Sequence, residues 1–314
     1  VYDPEIFSKI KEHFDDLNSL EKYRLLEDTW KSVTIGKFSI NEFLEFLPIY
    51  ESERDPNIWA YISGIISSMS KILTSEGNES FVKYFSQLIH SIKNDLGKEI
   101  RDSDSMEVKE LRAIINKLIG TIENEKSFVN FYSSKFQDGS IEEIEDGSLY
   151  NTTLYISALD PEIKIEQFLE KFLNAGSPQI EGRYRAILGI VRDPNAGRVI
   201  VQSMLDGTIR GADCPYILAS MIANKVTGRD SWSEIKDNYS GLLGVMPEWT
   251  ASRILSGLDG IFDRELGDDI RSFITANPLP SAEKLMAQKL EKLEANMELV
   301  KHINSTLDER ILEK

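Results

Sequence analysis

Few side chains in this sequence of 314 residues have the types and spacing that catalysis needs. Its only histidines are His13, His90 and His302, and no His-Glu-x-x-His segment occurs. The two imidazoles that would share a zinc ion on one helix are therefore missing. Glu298 lies four residues before His302, but one such pair supplies too few ligands for a tetrahedral site. We interpret it as a surface pair and expect no metal or other cofactor in this chain.

Nucleophiles and acid–base groups are equally sparse. Cys214, the only cysteine, precedes Pro215 at the start of an apolar segment, with no histidine nearby in sequence. This context favours a buried, unreactive thiol over a nucleophile. Adjacent acids such as Asp268 and Asp269 point about 100° apart on a helix and are poorly placed to share a proton. No Gly-x-Ser-x-Gly elbow or phosphate-binding glycine loop occurs, so we expect no catalytic residue.

The charge balance limits the class of partner. Lys and Arg number 36 against 52 Asp and Glu, which gives a net charge of −16. This balance argues against binding to nucleic acid, which needs a positive surface. No apolar run approaches the roughly 18 residues of a membrane span. A single cysteine suits a reducing compartment, so we expect a cytoplasmic protein without membrane contact. The start at Val1, without methionine, suggests a piece of a longer chain or a processed product.

Helical patterns dominate the sequence, and sustained strand alternation is absent. Four Asp-Pro steps predict helix starts, because Asp is a good N-cap and Pro fits the first helical turn. They lie at Asp3-Pro4, Asp55-Pro56, Asp160-Pro161 and Asp193-Pro194. Apolar residues recur at helical spacing in the segments between breaks. We predict about fourteen to sixteen helices in an all-α fold, an irregular right-handed superhelix of antiparallel helix pairs similar to HEAT or armadillo solenoids.

The domain organisation is less sharply marked. Asp-Gly-Ser occurs twice between Gln137 and Asn151, around an acidic run. This segment is either a boundary between two helical lobes, 1–140 and 150–314, or a solvated loop within one domain, 1–314. A last helix is predicted from about Ser281 to Leu312, with one apolar stripe that packs it on the domain.

Separated sequence blocks occur in an order that resembles a known family. The blocks are Val1-Tyr2-Asp3, Glu21–Trp30, Glu53 with Trp59, Arg183–Leu188, Asp193-Pro194, Ile209–Asp213, Gly228–Tyr239 and Leu293–Asn296. Together they resemble the C-terminal helical domain of aminopeptidase N-like zinc metallopeptidases, the gluzincins, including the C-terminal domain of endoplasmic-reticulum aminopeptidases. Residues 60 to 180 match this family in helical character only.

The resemblance implies a non-catalytic part of an enzyme. In this family a zinc-bearing catalytic domain with His-Glu-x-x-His…Glu and Gly-x-Met-Glu-Asn motifs lies upstream, and both motifs are absent here. The parent protein would remove N-terminal residues from peptides with a zinc-activated water. This chain would cover the active-site cleft, limit access and contact the peptide. Its partners would be the catalytic and β-sandwich domains of the same polypeptide and the peptide substrate.

A peptide carboxylate needs cationic partners, for which arginine is well shaped. The basic residues on the matching blocks are Lys22, Arg183, Arg185, Arg210 and Arg229, which we take as candidate substrate-binding residues. For each of them a surface or inter-helix ion pair is the alternative, and for Arg229, before the Trp232 helix, a structural role is favoured. A free-standing helical-repeat scaffold that binds a protein partner is the alternative function, because the same fold serves both.

Overall fold

The computed structural model describes residues 3–73, 75–101, 103–279 and 282–312, and within these ranges the fold is all-α. No strand occurs in the described ranges, which confirms the predicted fold class. The first nine α-helices are α1 (Pro4–Glu12), α2 (Ser19–Thr34), α3 (Ile40–Phe46), α4 (Pro56–Ile72), α5 (Ser75–Leu88), α6 (His90–Leu96), α7 (Met106–Ile122), α8 (Lys126–Gln137) and α9 (Gly147–Ala158).

The remaining helices follow with short connections. They are α10 (Ile165–Leu173), α11 (Pro178–Leu188), α12 (Ala196–Leu205), α13 (Cys214–Ile222), α14 (Gly228–Asp237), α15 (Tyr239–Val245), α16 (Glu248–Ala251), α17 (Arg264–Ala276) and α18 (Glu283–Thr306). Short 3₁₀-helices lie at Phe14–Asp16, Leu47–Tyr50, Ser140–Glu143, Ser252–Gly260 and Glu309–Ile311. None of the described helices is long and apolar enough to cross a membrane.

The described residues thus form eighteen α-helices, more than the fourteen to sixteen that the sequence predicts. Apolar periodicity runs on through several helix breaks and hides them. Only Ile89 separates α5 from α6, and only Asn238 separates α14 from α15. Both breaks lack the Gly or Pro residue that marks an interruption in sequence.

The Asp-Pro steps do not all begin helices. Asp3 and Asp55 accept backbone N–H bonds at the starts of α1 and α4, as predicted. Asp160-Pro161 instead opens a turn, because the Asp160 carboxylate accepts the N–H of Glu162 and α10 begins only at Ile165. After Asp193-Pro194 the helix begins at Ala196. An Asp carboxylate caps a turn as readily as a helix, so the dipeptide alone does not distinguish them.

The chain divides into two compact units. The first contains residues 1–125, 146–152 and 299–314, and the second contains residues 126–145 and 153–298. Whether this organisation corresponds to one domain or to two lobes stays a prediction, as does the superhelical arrangement of the helices.

Aromatic side chains fill the core of the first unit. Phe46 packs against both Phe7 and Tyr50, with ring centroids 5.1 and 5.6 Å apart. Trp30 meets Phe43 at 5.1 Å. Edge and tilted ring contacts of this kind add to the burial free energy of large side chains, so this cluster holds α1, α2 and α3 together.

Helix α13 is the central element of the second unit. It packs against α11, α14 and the 3₁₀-helix Ser252–Gly260. A side chain on Gly257 would place its Cβ 2.5 Å from the Ala219 carbonyl oxygen, so the two backbones approach closely enough to require glycine. This close approach fixes the Ser252–Gly260 segment on α13 and orients the residues that project from both.

A buried carboxylate connects two further elements of the second unit. Asp193 is 1% exposed, and its Oδ1 and Oδ2 atoms accept the N–H groups of Asn195 at 3.0 Å and Ile165 at 3.2 Å. Since Ile165 begins α10, Asp193 joins that helix to the turn before α12. Burial raises the pKa of Asp193, but the N–H bonds from Asn195 and Ile165 outweigh it and hold the pKa below its usual value.

We predict that Gly257→Ala lowers the free energy of unfolding by about 1–3 kcal/mol, because the added methyl group overpacks the contact with Ala219. Urea unfolding followed by circular dichroism measures the change. Gly182→Ala on α11 is the control, since nothing lies within 4 Å of its added Cβ. That control should be neutral or stabilising, by at most about 1 kcal/mol. Equal losses in both variants would contradict the close-packing argument.

We predict that Asp193→Asn destabilises the protein at pH 7 by about 1–3 kcal/mol, because the amide keeps only part of the acceptor capacity. A depressed folded-state pKa stabilises the fold fully above the unfolded pKa, which lies near ~4, and this contribution is lost as the pH falls through the folded-state value. The difference between wild type and variant should therefore shrink between pH 5 and pH 2 in urea titrations. Asp237→Asn, an exposed position in the same unit, is the control. A difference that stays constant with pH would rule out the acceptor role.

Candidate functional site

Four of the five predicted site residues lie in the second unit, and two of these, Arg185 and Arg210, share the carboxylate of Asp213. Arg183 and Arg185 lie on α11, and Arg210 lies in the loop before α13. Arg229 belongs to the same unit but lies in the first turn of α14, and Lys22 lies on α2 in the first unit. The structure therefore brings Arg185 and Arg210 together, whereas Lys22 and Arg229 lie in separate settings.

Lys22 is enclosed by its own partners. Its Nζ lies 3.1 Å from Glu53 Oε2 and 4.8 Å from the centre of the Phe14 ring. Burial raises the pKa of Glu53, while the N–H groups of Asp55 and Arg54 and the Lys22 ammonium lower it more, so its pKa lies below the usual value. A half-buried carboxylate with this many donors remains ionised. Its negative charge is therefore paired with the ammonium group of Lys22.

Arg229 joins two helices. Its guanidinium donates to both carboxylate oxygens of Asp263, at 2.6 and 2.7 Å, and to Glu265 at 2.7 Å. Asp263 also caps α17 by accepting the Leu266 N–H. Side-chain bonds to Asp263 and then Glu265 raise the pKa of Arg229. This geometry ties the start of α14 to the start of α17 and agrees with the structural role favoured for Arg229.

The arginine cluster, which comprises Glu181, Arg185, Arg210 and Asp213, is centred on a buried carboxylate. Asp213 is 3% exposed. Its Oδ1 accepts Arg185 Nη1 at 2.7 Å, and its Oδ2 accepts Arg210 Nε and Nη2 at 2.9 and 2.8 Å. Arg210 Nη2 also donates to Glu181. The side-chain bond to Asp213 is the largest cause of the raised pKa of Arg210. The cluster thus crosslinks α11, the loop before α13 and the start of α13.

An exposed ring lies beside this cluster. The guanidinium carbons of Arg185 and Arg253 lie 5.4 and 5.3 Å from the centre of the Tyr216 ring, within the range of cation–π contacts. We call these three residues the Tyr216 stack. Tyr216 is 43% exposed, and Arg253 lies on the surface of the 3₁₀-helix Ser252–Gly260. Within the described part of the chain, Arg253 has no carboxylate within salt-bridge distance.

Sequence reasoning missed Tyr216 and Arg253. Tyr216 belongs to the apolar segment Cys214–Ile222, in which the helical spacing of apolar residues alone predicts that it is buried in the core. The sequence signal that could have identified Tyr216 is its position three residues after Asp213, because residues three apart lie on the same face of a helix. Nothing in the sequence brings Arg253, which is 37 residues further along, to the same ring.

A second pair of cations was also missed. Arg192 is half-buried and Lys225 is exposed. They lie on neighbouring loops, which Asn224 Nδ2 joins by donating to the carbonyls of Gly189 at 3.2 Å and Val191 at 3.4 Å. Burial lowers the pKa of Lys225, and the positive charge of Arg192 lowers it further. Burial likewise lowers the pKa of Arg192.

Neither an activated thiol nor a metal-binding cluster occurs among the described residues. Cys214 adjoins the arginine cluster, yet burial and then the charge of Asp213 raise its pKa to about 11, so it remains a thiol. Among the described residues, no group of three or more His, Cys, Asp or Glu side chains could hold a metal ion. The described residues therefore do not fit a zinc centre.

The all-α fold of the described residues agrees with the family comparison. Residues 1–295 match the model of the ERAP1-like C-terminal domain. The chain belongs to this family. The predicted resemblance is thereby confirmed, and the ERAP1-like domain covers most of the sequence.

Individual relatives are aminopeptidases or a peptidase-associated factor. The chain is 21% identical over 311 residues to "Aminopeptidase 2, mitochondrial" of Saccharomyces cerevisiae, covering 95% of this chain and 32% of the relative. It is 23% identical over 305 residues to "Tricorn protease-interacting factor F2" of Thermoplasma volcanium, covering 94% and 36%. It is 20% identical over 318 residues to "Aminopeptidase M1-A" of Oryza sativa subsp. japonica, covering 95% and 35%. The chain thus spans about a third of the length of these relatives.

We predict that Asp213→Asn lowers the free energy of unfolding by about 1.5–3 kcal/mol, because it removes charge-assisted bonds to two arginines at a buried position. Urea unfolding of the purified chain measures the loss. Asp268→Asn is the matched control, since its ion pair with Arg264 is exposed on both sides and should change stability little. A loss at Asp213 no larger than that at Asp268 would show that the cluster is not a structural crosslink.

Proposed function

We propose that this ERAP1-like domain is the non-catalytic C-terminal part of a zinc aminopeptidase that removes N-terminal residues from peptides. The observation that carries this proposal is the match of one domain family over residues 1–295, in a chain that spans only a third of its aminopeptidase relatives. The catalytic and β-sandwich domains of the same polypeptide are its proposed partners, and the zinc ion belongs to the catalytic domain. The predicted cytoplasmic location remains part of this proposal.

The proposed role is to cover the active-site cleft, limit access to it and contact the peptide. A fold of packed helices supplies a rigid wall, which excludes water and bulky substrates without taking part in bond cleavage. Among the described residues the Cys214 thiol has a raised pKa and no group of three metal-ligating side chains occurs, which supports a role in binding rather than in bond cleavage. In this proposal the catalytic domain cleaves the peptide bond, and the helical domain positions the peptide.

Arg183, Arg185 and Arg210 are the proposed peptide-contacting residues on the matching blocks. Arg185 keeps more of its N–H donors for a ligand, because it uses only one terminal nitrogen on Asp213; its side chain is 37% exposed and lies over the Tyr216 ring. Arg210 is more fully engaged by Asp213 and Glu181. Lys22 and Arg229 stay predictions as substrate contacts, and the ion pairs described above support structural roles for them.

The alternative function is a helical scaffold that binds a protein partner. One observation favours it: the Thermoplasma volcanium relative is named as a factor that interacts with the tricorn protease. The two functions differ in what accompanies the chain. An upstream metallopeptidase in the same polypeptide supports the aminopeptidase domain, and a protein that lacks one supports the scaffold.

We predict that the chain 1–314 alone does not hydrolyse aminoacyl fluorogenic substrates, with or without zinc, whereas the protein extended through its natural upstream sequence does. Deleting residues 1–314 from the extended protein should flatten the dependence of kcat/KM on peptide length, because the covering wall is gone. Release of N-terminal residues from a graded series of peptides measures this dependence. An extended protein with no peptidase activity would refute the proposal.

Arg185→Gln in the extended protein tests the contact without removing the domain. The variant should raise KM for longer peptides about fivefold or more and leave hydrolysis of aminoacyl fluorogenic substrates unchanged, because only a long peptide reaches beyond the catalytic site. Arg198→Gln, an exposed arginine on α12, is the control of equal charge. Equal effects of the two variants would argue against a specific contact.

A further inference from the structure

A cavity of about 480 Å³ opens on the first unit. Its volume lies within the range of protein sites that bind small organic molecules. Three parts of the chain line it: α3 with the 3₁₀-helix that continues it, the last turn of α5, and the 3₁₀-helix Glu309–Ile311 near the end of the sequence. None of the five candidate residues predicted from the sequence lines this cavity, so it is a separate feature of the molecule.

Hydrogen bonds between its walls hold the cavity open. The Tyr84 hydroxyl donates to the carbonyl of Leu44 at 2.7 Å and joins α5 to α3. The Asn41 side chain, also on α3, donates to the carbonyl of Thr306 and accepts the N–H of Asp308, both at 2.9 Å. These bonds fix α5 and the C-terminal segment against α3. The cavity is therefore preformed, and a ligand would not have to order its walls.

The inner part of the cavity is apolar. Leu44, Tyr84 and Leu88 line it and are themselves buried. Because the Tyr84 hydroxyl is already bonded to Leu44, the aromatic ring is the part of this side chain that remains for a ligand. Aromatic rings accept apolar groups, and their faces attract cations. A ligand in this cavity would thus contact hydrocarbon and one ring.

The outer part of the cavity is negatively charged. Glu45 and Glu51 line it and are exposed, and among the described lining residues there is no Lys or Arg. Gln87 adds a neutral amide. Two carboxylates beside an apolar surface attract a cation, and the net charge of −16 adds to this field and repels anions. The complementary ligand is therefore positively charged at one end and apolar at the other.

We propose that this cavity binds a small organic cation, an amine or guanidine on an apolar body, with Glu45 and Glu51 contacting the charge and Tyr84 and Leu88 contacting the apolar part. An inorganic cation would leave the apolar lining unused, and a neutral apolar molecule would gain nothing from the carboxylates. The volume of the cavity favours a small molecule over a polypeptide segment. This inference is independent of the proposed function, because it involves neither a peptide nor bond cleavage.

Titrations followed by ligand-observed NMR test the site, both on the chain 1–314 and on the protein extended through its natural upstream sequence. The probe is phenethylamine, and 2-phenylethanol and 3-phenylpropionate are its neutral and anionic counterparts. We expect both counterparts to bind at least about tenfold more weakly, because each lacks the cation. A blocked tetrapeptide, acetyl-Gly-Lys-Phe-Gly-amide, presents an ammonium group and a ring from a polypeptide and should bind no more tightly than phenethylamine.

Variants locate the binding in this cavity. The double variant Glu45→Gln/Glu51→Gln should bind phenethylamine about tenfold more weakly, since the charge contacts are lost. Gln87→Trp keeps both carboxylates but fills the cavity and should have a similar effect. The control is Glu42→Gln/Glu110→Gln, which removes two exposed acids of the same unit outside the cavity and should bind as wild type. Circular dichroism and Tm establish that each variant is folded.

Four results would overturn the site. Equal affinity for 2-phenylethanol would remove the cation from the argument, and an equal loss in the control variant would indicate attraction by charge alone. Binding by the chain 1–314 but not by the extended protein would show that the rest of the polypeptide covers the cavity. Tighter binding of the tetrapeptide would assign the cavity to a polypeptide partner instead. Peptidase activity of the extended protein has no bearing on these outcomes, so the site and the proposed function fail separately.

Discussion

The second unit depends on the buried carboxylate of Asp213. Taking a carboxylate out of water costs several kcal/mol unless other groups replace its hydration. Asp213 receives three N–H bonds from two guanidinium groups, which reach it from α11 and from the loop before α13. The arginines keep part of their own hydration, because Arg185 and Arg210 are 37% and 65% exposed. The buried charge is thus compensated from the surface, and the compensation fixes the position of Arg185 beside Tyr216.

Much of the fold could be predicted from the sequence because helix signals are local. Asp55 followed by Pro56 caps α4 as predicted, and the buried side chains of Leu25, Leu26 and Val33 follow the apolar period of α2. The last helix occupies Glu283–Thr306, within the predicted range of 281 to 312, and Ser281 lies outside the described residues. The failures have the same local origin: at Asp160 the carboxylate that was expected to cap a helix closes a turn instead.

The candidate site was less predictable because it is assembled by packing. Sequence blocks supplied Arg183, Arg185 and Arg210, and Asp213 brings Arg185 and Arg210 together. The sequence blocks do not indicate which arginine uses its N–H donors in bonds within the protein. In the structure, Arg210 donates to both Asp213 and Glu181. Tyr216 is hidden in an apolar run, and Arg253 reaches it only because Gly257 lets two backbones meet. Non-local contacts of this kind leave no periodic trace in a sequence.

Whether one of these arginines can bind a ligand depends on how many of its N–H donors already bond within the protein, rather than on the number of positive charges. An arginine whose nitrogens already hold carboxylates, such as Arg229 between Asp263 and Glu265, would have to break those bonds before it could bind a ligand. A stacked arginine without such bonds starts from a position already close to the bound one. Binding to Arg229 would therefore weaken the connection between α14 and α17, whereas binding to Arg253 would leave the fold unchanged. The proposed contact with peptides therefore requires arginines with free donors on the surface, while arginines with fully bonded donors hold the helices together.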